Sequence, residues 1–259
     1  MVLFEWLAER LRDAAAWPIN LVRDFPRRLG RVLFWLWSTV MGLWSFFQTL
    51  FRAKPEGWLA WAHHWVGQLV FAGHQLFCYL FDLLGGAELA QFLMHLVMPT
   101  SSLTVTEMAA AATVLGPTAL RYGEVRVAEG GLLRLIFRLN KSRAFALWHT
   151  IHLPERGRAD LSLLVHEITH VFQYEKIGSI YIGEALYAQW TLGRGAYQYG
   201  GAAGLKQAYH SGKPYKAYTR EQQAQIAQDY YQLLAQPTHP ADQSTIYELY
   251  IKDLRKGKF

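Results

Sequence analysis

The stretch His166-Glu167-Ile168-Thr169-His170 carries the most chemistry in this chain. On a helix, residues four apart share a face, so both imidazoles can meet one metal ion, and the carboxylate at the second position can reach a water bound to it. This is the pattern of a catalytic zinc site, with His166 and His170 as ligands and Glu167 as general base rather than ligand. Two histidines are one donor short, because a catalytic zinc usually takes three protein ligands and keeps one position for water.

Glu175 is five residues past His170, and at 100 degrees per residue it points away from the histidine face. Glu184 follows the turn at Gly178 and is a candidate if the chain folds back. Glu221 opens a later helix, expected over residues 219–235 behind the capping pattern Thr219-x-x-Gln222, and a carboxylate entering from a separate helix can approach the side the histidines leave free. For the donor that stabilises the oxyanion of peptide hydrolysis, the loop before that helix offers His210, Tyr215 and Tyr218, of which Tyr218 is favoured. Gln225 and Asp229 share a face with Glu221 and can orient a ligand imidazole. An odd spacing along one strand sends His149 and His152 to opposite faces, which argues against a second metal site.

The element that must hold the histidines is a helix from Asp160, its cap, to Gly178, its stop. Leu161, Leu164, Val165, Ile168 and Phe172 make the apolar stripe that anchors it. Ahead of it, Thr104 or Thr106 starts a short helix that Gly116-Pro117 ends. Residues 122–128 and 145–153 have strand composition, and the strand before the metal helix can offer its edge to an extended peptide. Gly193, Gly195, Gly200, Gly201 and Gly204 mark a flexible connection, with no strand–glycine-loop–helix order for binding phosphate.

The run from Leu161 to Gln173, followed at a distance by Tyr218-Thr219-Arg220-Glu221-Gln222-Gln223-Ala224, resembles the small zincin-like domains of bacterial Vgr-related proteins, which are related to metallopeptidase modules near contractile secretion systems. The segment Phe145 to Pro154 resembles the part of those domains that precedes the metal helix. The resemblance spans roughly residues 101–235. It implies a gluzincin-type centre with His166, His170 and Glu221 on zinc and Glu167 as catalytic base.

The 259 residues suit one or two domains, and 52% hydrophobic with 15% aromatic content excludes disorder. A net charge of +6, spread along the chain, does not point to nucleic acid but suits an anionic membrane surface. One cysteine, Cys78, excludes internal disulfides and a zinc ribbon. Eight of the ten tryptophans fall within the first 65 residues, dividing the chain near 99–102 into an aromatic front section, 1–100, and a metallopeptidase section, 101–259.

In the front section, residues 3–15 form an amphipathic helix, with Phe4, Leu7 and Leu11 opposed by Glu5, Glu9, Arg12 and Asp13. Leu21, Val22, Phe25 and Leu29 are faced by Arg23, Arg27, Arg28 and Arg31. Residues 32–51 are uncharged for 20 positions, the length of a bilayer-crossing helix, with Ser38, Gly42, Ser45 and Thr49 as a small-residue packing seam. A second uncharged run, 58–81, holds His63, His64, His74, Gln68 and Gln75, which weaken insertion. The arginines at 23–31 favour a cytoplasmic start, while Arg52 and Lys54 reduce that asymmetry. Spanning and lying flat in the interface both remain open, as does the membrane side.

The expectation is therefore an α+β, mainly helical protein with a membrane-associated amino-terminal section and a small zincin-like domain with a short sheet. It is read as a zinc metalloendopeptidase at the bacterial inner membrane, with peptide or protein substrate and membrane lipid as partners. The alternative is a non-proteolytic membrane-bound scaffold, a subunit of a membrane protein complex that keeps the zincin fold.

Overall fold

The computed structural model describes residues 2–52, 57–129, 143–154, 157–238 and 241–259. It is mainly helical with one small mixed sheet. The chain divides into two compact units, Met1–Phe92 with Gly178–Ile180, and Leu93–Ile177 with Tyr181–Phe259. The division falls earlier than composition suggests. Helix α3 (Gly86–Val97) ends beyond it, and His95 on its last turn is buried with Nε2 at 2.8 Å from the Thr150 hydroxyl, within the second unit.

In the first unit, the two interfacial pieces and the first uncharged run expected from the sequence are joined in a single helix, α1 (Val2–Leu50), which passes through Pro18 and Pro26. Each proline removes one backbone donor, but good helix formers on either side carry the helix across. Phe4, Leu7 and Leu11 are exposed, whereas the side chains of Glu5, Glu9, Arg12 and Asp13, like Lys54, lie outside the described residues.

Helix α2 (Trp58–Leu83) packs on α1 through aromatic residues. Phe46 meets Trp61 and Trp65 at centroid distances of 5.0 and 5.1 Å, and both indoles donate to the Thr49 hydroxyl, at 3.1 and 3.2 Å. Of the small-residue seam, Thr49 is thus used as an acceptor, while among the described residues no neighbour outside its own turn of helix lies within 4 Å of where a Cβ on Gly42 would stand.

One end of the pair is tied by charge. Arg28 donates to the Asp82 carbonyl and pairs with Glu88, Arg31 pairs with Asp82 at 3.4 Å, and the Ser179 amide donates to Asp82 at 2.8 Å. Gly178 has φ +83, and a Cβ there would come within 2.2 Å of the Asp82 carboxylate, so this turn requires glycine.

Large apolar side chains remain uncovered along both helices, among them Phe34 at 69%, Trp44 at 66% and Leu69 at 71% exposure. Among the described residues no single helix is long and apolar enough to cross a membrane; α2 and α3 together pass that test but meet at a bend of 69°.

The second unit is built around helix α5 (Leu161–Ile177), which is buried along nearly its whole length, so the single apolar stripe understates its enclosure. It packs against α4 (Val105–Leu115), α8 (Arg220–Leu234) and a four-stranded sheet of order β1-β2-β4-β3. The strands are β1 (Thr100–Ser102), β2 (Arg126–Glu129), β3 (Phe145–Leu147) and β4 (Thr150–Leu153), with β2 and β4 parallel and the other pairs antiparallel. Thr104, not Thr106, starts α4, in a capping box with Glu107, and Gly116 ends it.

Two strand expectations change. Tyr122–Glu124 is a 3-10 turn ahead of β2, and the long strand over 145–153 is a hairpin. Its two-residue turn sets Trp148 at φ +54, a conformation that costs a non-glycine residue about 1 kcal/mol or more. The turn is held by the Tyr181 hydroxyl, which accepts from the Trp148 amide at 3.2 Å and donates to the Ala146 carbonyl at 2.9 Å. Helices α6 (Ile180–Leu192), α7 (Gly201–His210) and α9 (Ala241–Arg255) complete the elements.

Candidate metal centre

Asp160 caps α5 as the sequence predicts, its Oδ1 accepting from the amides of Ser162 at 2.9 Å and Leu163 at 3.1 Å. The cap sets the helix phase that puts His166 and His170 on one face, their rings 5.0 Å apart. Thr219 and Gln222 form the expected capping box on α8, and Glu221 stands in that first turn. Packing of α5 against α8 brings the Glu221 carboxylate to 3.4 Å from His166 Nε2 and 3.5 Å from His170 Nε2. One donor atom from each of the three buried residues lies within 4.8 Å of the others.

Burial by itself would lower the pKa of His170 and raise that of Glu221, but their mutual attraction outweighs it and shifts both the other way. The pair therefore holds its charges, with Glu221 an anion. Burial pushes Glu167 up, which poises it to hold a proton once one is offered. Glu167 Oε2 is buried with no hydrogen-bond partner among the described residues.

Two imidazole nitrogens and one carboxylate oxygen, all buried, form a donor set suited to zinc. His170 Nδ1 lies 2.8 Å from Gln173 Oε1. The Gln173 amide nitrogen donates to the Arg220 carbonyl at 3.2 Å and Gln223 Oε1 at 3.0 Å, so the side chain cannot be flipped and Oε1 must accept from His170. With Nδ1 held as the N–H by Gln173, Nε2 is the ring nitrogen that faces Glu221, and it is the one a metal would take on displacing its proton. Gln189 donates to Glu221 Oε1 at 2.9 Å and fixes the carboxylate oxygen that faces away from the histidines. Neither glutamine was singled out in the sequence. Gln173, three residues past His170, was legible in principle as an i, i+3 partner.

The remaining expectations separate. Glu184 does not join the histidines; it pairs with the Arg220 guanidinium. Tyr218 is not among the residues lining the cavity above the cluster. Its ring packs edge-on to Tyr250 and under the Lys213 ammonium at 3.8 Å, because its side chain turns into the core beside α9.

Tyr197 does line the cavity, its ring 6.0 Å from that of His166, and burial together with the nearby Glu221 charge raises the pKa of its phenol. It sits at the end of a 3-10 turn, Gly193–Tyr197, in the glycine-rich stretch read as a flexible connection. That stretch is instead turn and helix, and a Cβ on Gly204 would come within 2.5 Å of the Tyr199 carbonyl, so close backbone packing accounts for glycine there.

Gln225 lines the cavity and donates to Asp229 at 2.7 Å, but neither bonds a ligand histidine in the way Gln173 does. Tyr215 is buried with its hydroxyl on the Gln223 carbonyl, and His210 bonds the Lys206 carbonyl on its own helix. His149 sits in the hairpin turn rather than on a strand; its Nε2 lies 3.0 Å from Glu175 Oε1. His152 is buried and stacks on Phe145 at 4.5 Å. Neither is among the residues lining the cavity over the cluster.

A cavity of about 840 Å³ opens over the cluster and reaches both Glu167 and strand β3. Its walls are largely apolar, with Phe145, Leu147, Ile182 and Leu186 among them. Among the described strands β3 is an edge of the sheet, beside the cluster of His166, His170 and Glu221. Comparison with protein-family models, with curated proteins and with solved structures finds no match to this chain.

Proposed function

We propose that the second unit is a zinc-dependent peptidase. The observation that carries this reading is the meeting of Glu221 with His166 and His170 beneath a cavity that also receives Glu167. Zinc held by these three residues would supply Lewis acidity toward a peptide carbonyl and lower the pKa of a water in its open position.

Glu167, beside that position and with its pKa raised by burial, takes the proton of the attacking water and passes it to the leaving amine. The edge of β3 pairs with the substrate backbone, extending it past the ligands. Tyr197, rather than Tyr218, donates its phenolic proton to the developing oxyanion, since it borders both the cavity and Glu221.

The first unit is read as membrane-associated, and the uncovered aromatic and aliphatic side chains of α1 and α2 support that role at a lipid interface. The bacterial inner membrane remains the proposed location. Glu167→Gln should retain metal and lose turnover by a factor of about 100 or more. Freshly purified protein with zinc near zero, or Glu167→Gln cleaving a susceptible peptide as fast as the parent, would overturn the proposal. Bound zinc with no turnover in any peptide screen would favour the scaffold reading instead.

A further inference from the structure

Glu221, Gln225 and Gln228 follow one another on α8 at spacings of four and three residues, so they share one face of the helix, and all three line the cavity. Each glutamine amide has an acceptor at one end and donors at the other, and its neighbours decide which end is left over. Gln225 lies 2.7 Å from Asp229 Oδ1. A carboxylate only accepts, so the nitrogen of Gln225 makes that contact. Asp229 is held in turn. Its Oδ2 accepts from the Tyr199 hydroxyl, which in giving its proton there leaves the Tyr247 hydroxyl, 2.7 Å away, as donor to it.

The same reasoning orients Gln228. Burial would raise the Asp160 pKa, but hydrogen bonds from Ser162 and Leu163 hold it below its ordinary value, so its Oδ1 only accepts. The Ser162 hydroxyl therefore gives its proton to Asp160, at 2.7 Å, and has lone pairs alone to offer Gln228 at 3.4 Å and Gln232 at 2.8 Å. Gln228 thus turns its nitrogen to Ser162. Both side-chain oxygens are left over, in half-buried residues that line the cavity, with no hydrogen-bond partner among the described residues.

From this arrangement we infer that Gln225 and Gln228 position the substrate, their side-chain oxygens accepting backbone N–H groups of a peptide whose scissile bond lies at His166, His170 and Glu221. This rests on the peptidase reading for the identity of the ligand. Every residue but proline carries a backbone N–H, so the two glutamines align a peptide without selecting its side chains. Along the helix axis Gln225 stands about 6 Å and Gln228 about 10.5 Å from Glu221, so the pair holds the chain as it leads away from the ligands. Because Asp229 and Ser162 already fix the amides, the substrate does not have to order them on binding.

The test uses full-length, zinc-loaded Glu167→Gln protein, so that bound peptide is not cut, and a fluorescein-labelled peptide of alternating alanine and leucine, with binding read by anisotropy. At each position in turn the amide is replaced by an ester, which removes one N–H and adds no bulk. The expected result is a loss of about fivefold in affinity at two positions on one side of the scissile bond. Adding Gln225→Leu abolishes the penalty at the position nearer that bond, and adding Gln228→Leu abolishes it at the farther one, while zinc stays at one per chain.

Asp229→Asn acts as Gln225→Leu does although the glutamine is intact. Tyr199 still donates to the oxygen of the introduced amide, whose nitrogen then turns Gln225 round. Ester penalties that neither glutamine variant alters at any position overturn the inference. A penalty lost in Gln225→Leu and kept in Asp229→Asn overturns the orienting role of Asp229. Failure of the peptidase reading shows differently, as penalties that depend on the glutamines in peptides the parent protein never cleaves.

Discussion

Gln173 Oε1 accepts from His170 Nδ1 at 2.8 Å, while the other end of the same amide is held by Gln223 and the Arg220 backbone. One fully buried side chain thus ties the orientation of the His170 ring on α5 to the first turn of α8, where Glu221 resides. Outer partners of this kind tune metal affinity because they fix the ring and its tautomer. Gln173→Ala should weaken zinc binding by about 10- to 100-fold, read by competition with a chromophoric chelator. Affinity equal to the parent's would show that the ring needs no such support.

Glu221 and Glu184 make a paired control. Glu221→Ala removes the oxygen donor between the two histidines and should abolish stoichiometric zinc, measured by metal analysis after dialysis. Glu184→Ala breaks only the contact with Arg220 and should leave one zinc per chain. The reverse pattern would transfer the third ligand to Glu184.

Acid should unfold the second unit in two separable windows. Burial lowers the His152 pKa to about 4 from 6.5, so the unfolded chain takes up its proton first and stability falls as pH drops from about 6.5 to 4. The loss approaches about 3 kcal/mol at its lower end. Urea titrations at pH 7 and pH 4.5 should differ by most of that amount in the parent and by much less in His152→Leu.

Glu175 governs the second window. Burial alone would raise its pKa, but the hydrogen bond from His149 and the charge of Arg121 bring it down to about 2 from 4.5. Its stabilisation is complete above pH 4.5 and is lost as pH falls toward 2. Glu175→Gln should flatten the stability profile between those values and leave the window above pH 4.5 unchanged. An unaltered profile would mean the ion pair does not form in solution.

In the first unit, Arg28 is 3% exposed and meets both Glu88 and the Asp82 carbonyl. Removing one partner of a buried pair strands the other charge, so Arg28→Ala should destabilise this unit by about 3 kcal/mol or more. Thermal melts followed by tryptophan fluorescence report on it directly, because most of the tryptophans lie in this region. A change under about 1 kcal/mol would mean that water reaches Glu88.

Local spacing decided a great deal of this protein. The i, i+4 histidines, the Asp160 cap, the Gly178 stop and the capping box at Thr219 depend on neighbours within about one helical turn, and each stands where the sequence places it, while the box that chooses Thr104 over Thr106 appears in the structure. The same locality explains the errors. A run of strand-forming residues from Phe145 to Leu153 carries no glycine or proline to announce its turn, since the Tyr181 hydroxyl holds Trp148 in an unusual conformation from another helix. Pro18 and Pro26, which argue for a break, sit inside one long helix.

What only the tertiary structure decided is which distant side chains share a space with the histidines: Glu221 and not Glu184, Tyr197 and not Tyr218, with Gln173 behind His170 and Gln189 behind Glu221. These choices follow from how α5 packs against α8 and how α6 meets α8 through Gln189 and Glu184, where contacts between residues tens of positions apart are set by the fit of whole helices. No spacing in the sequence encodes that fit, whereas the phase of a single helix is written in every turn of it.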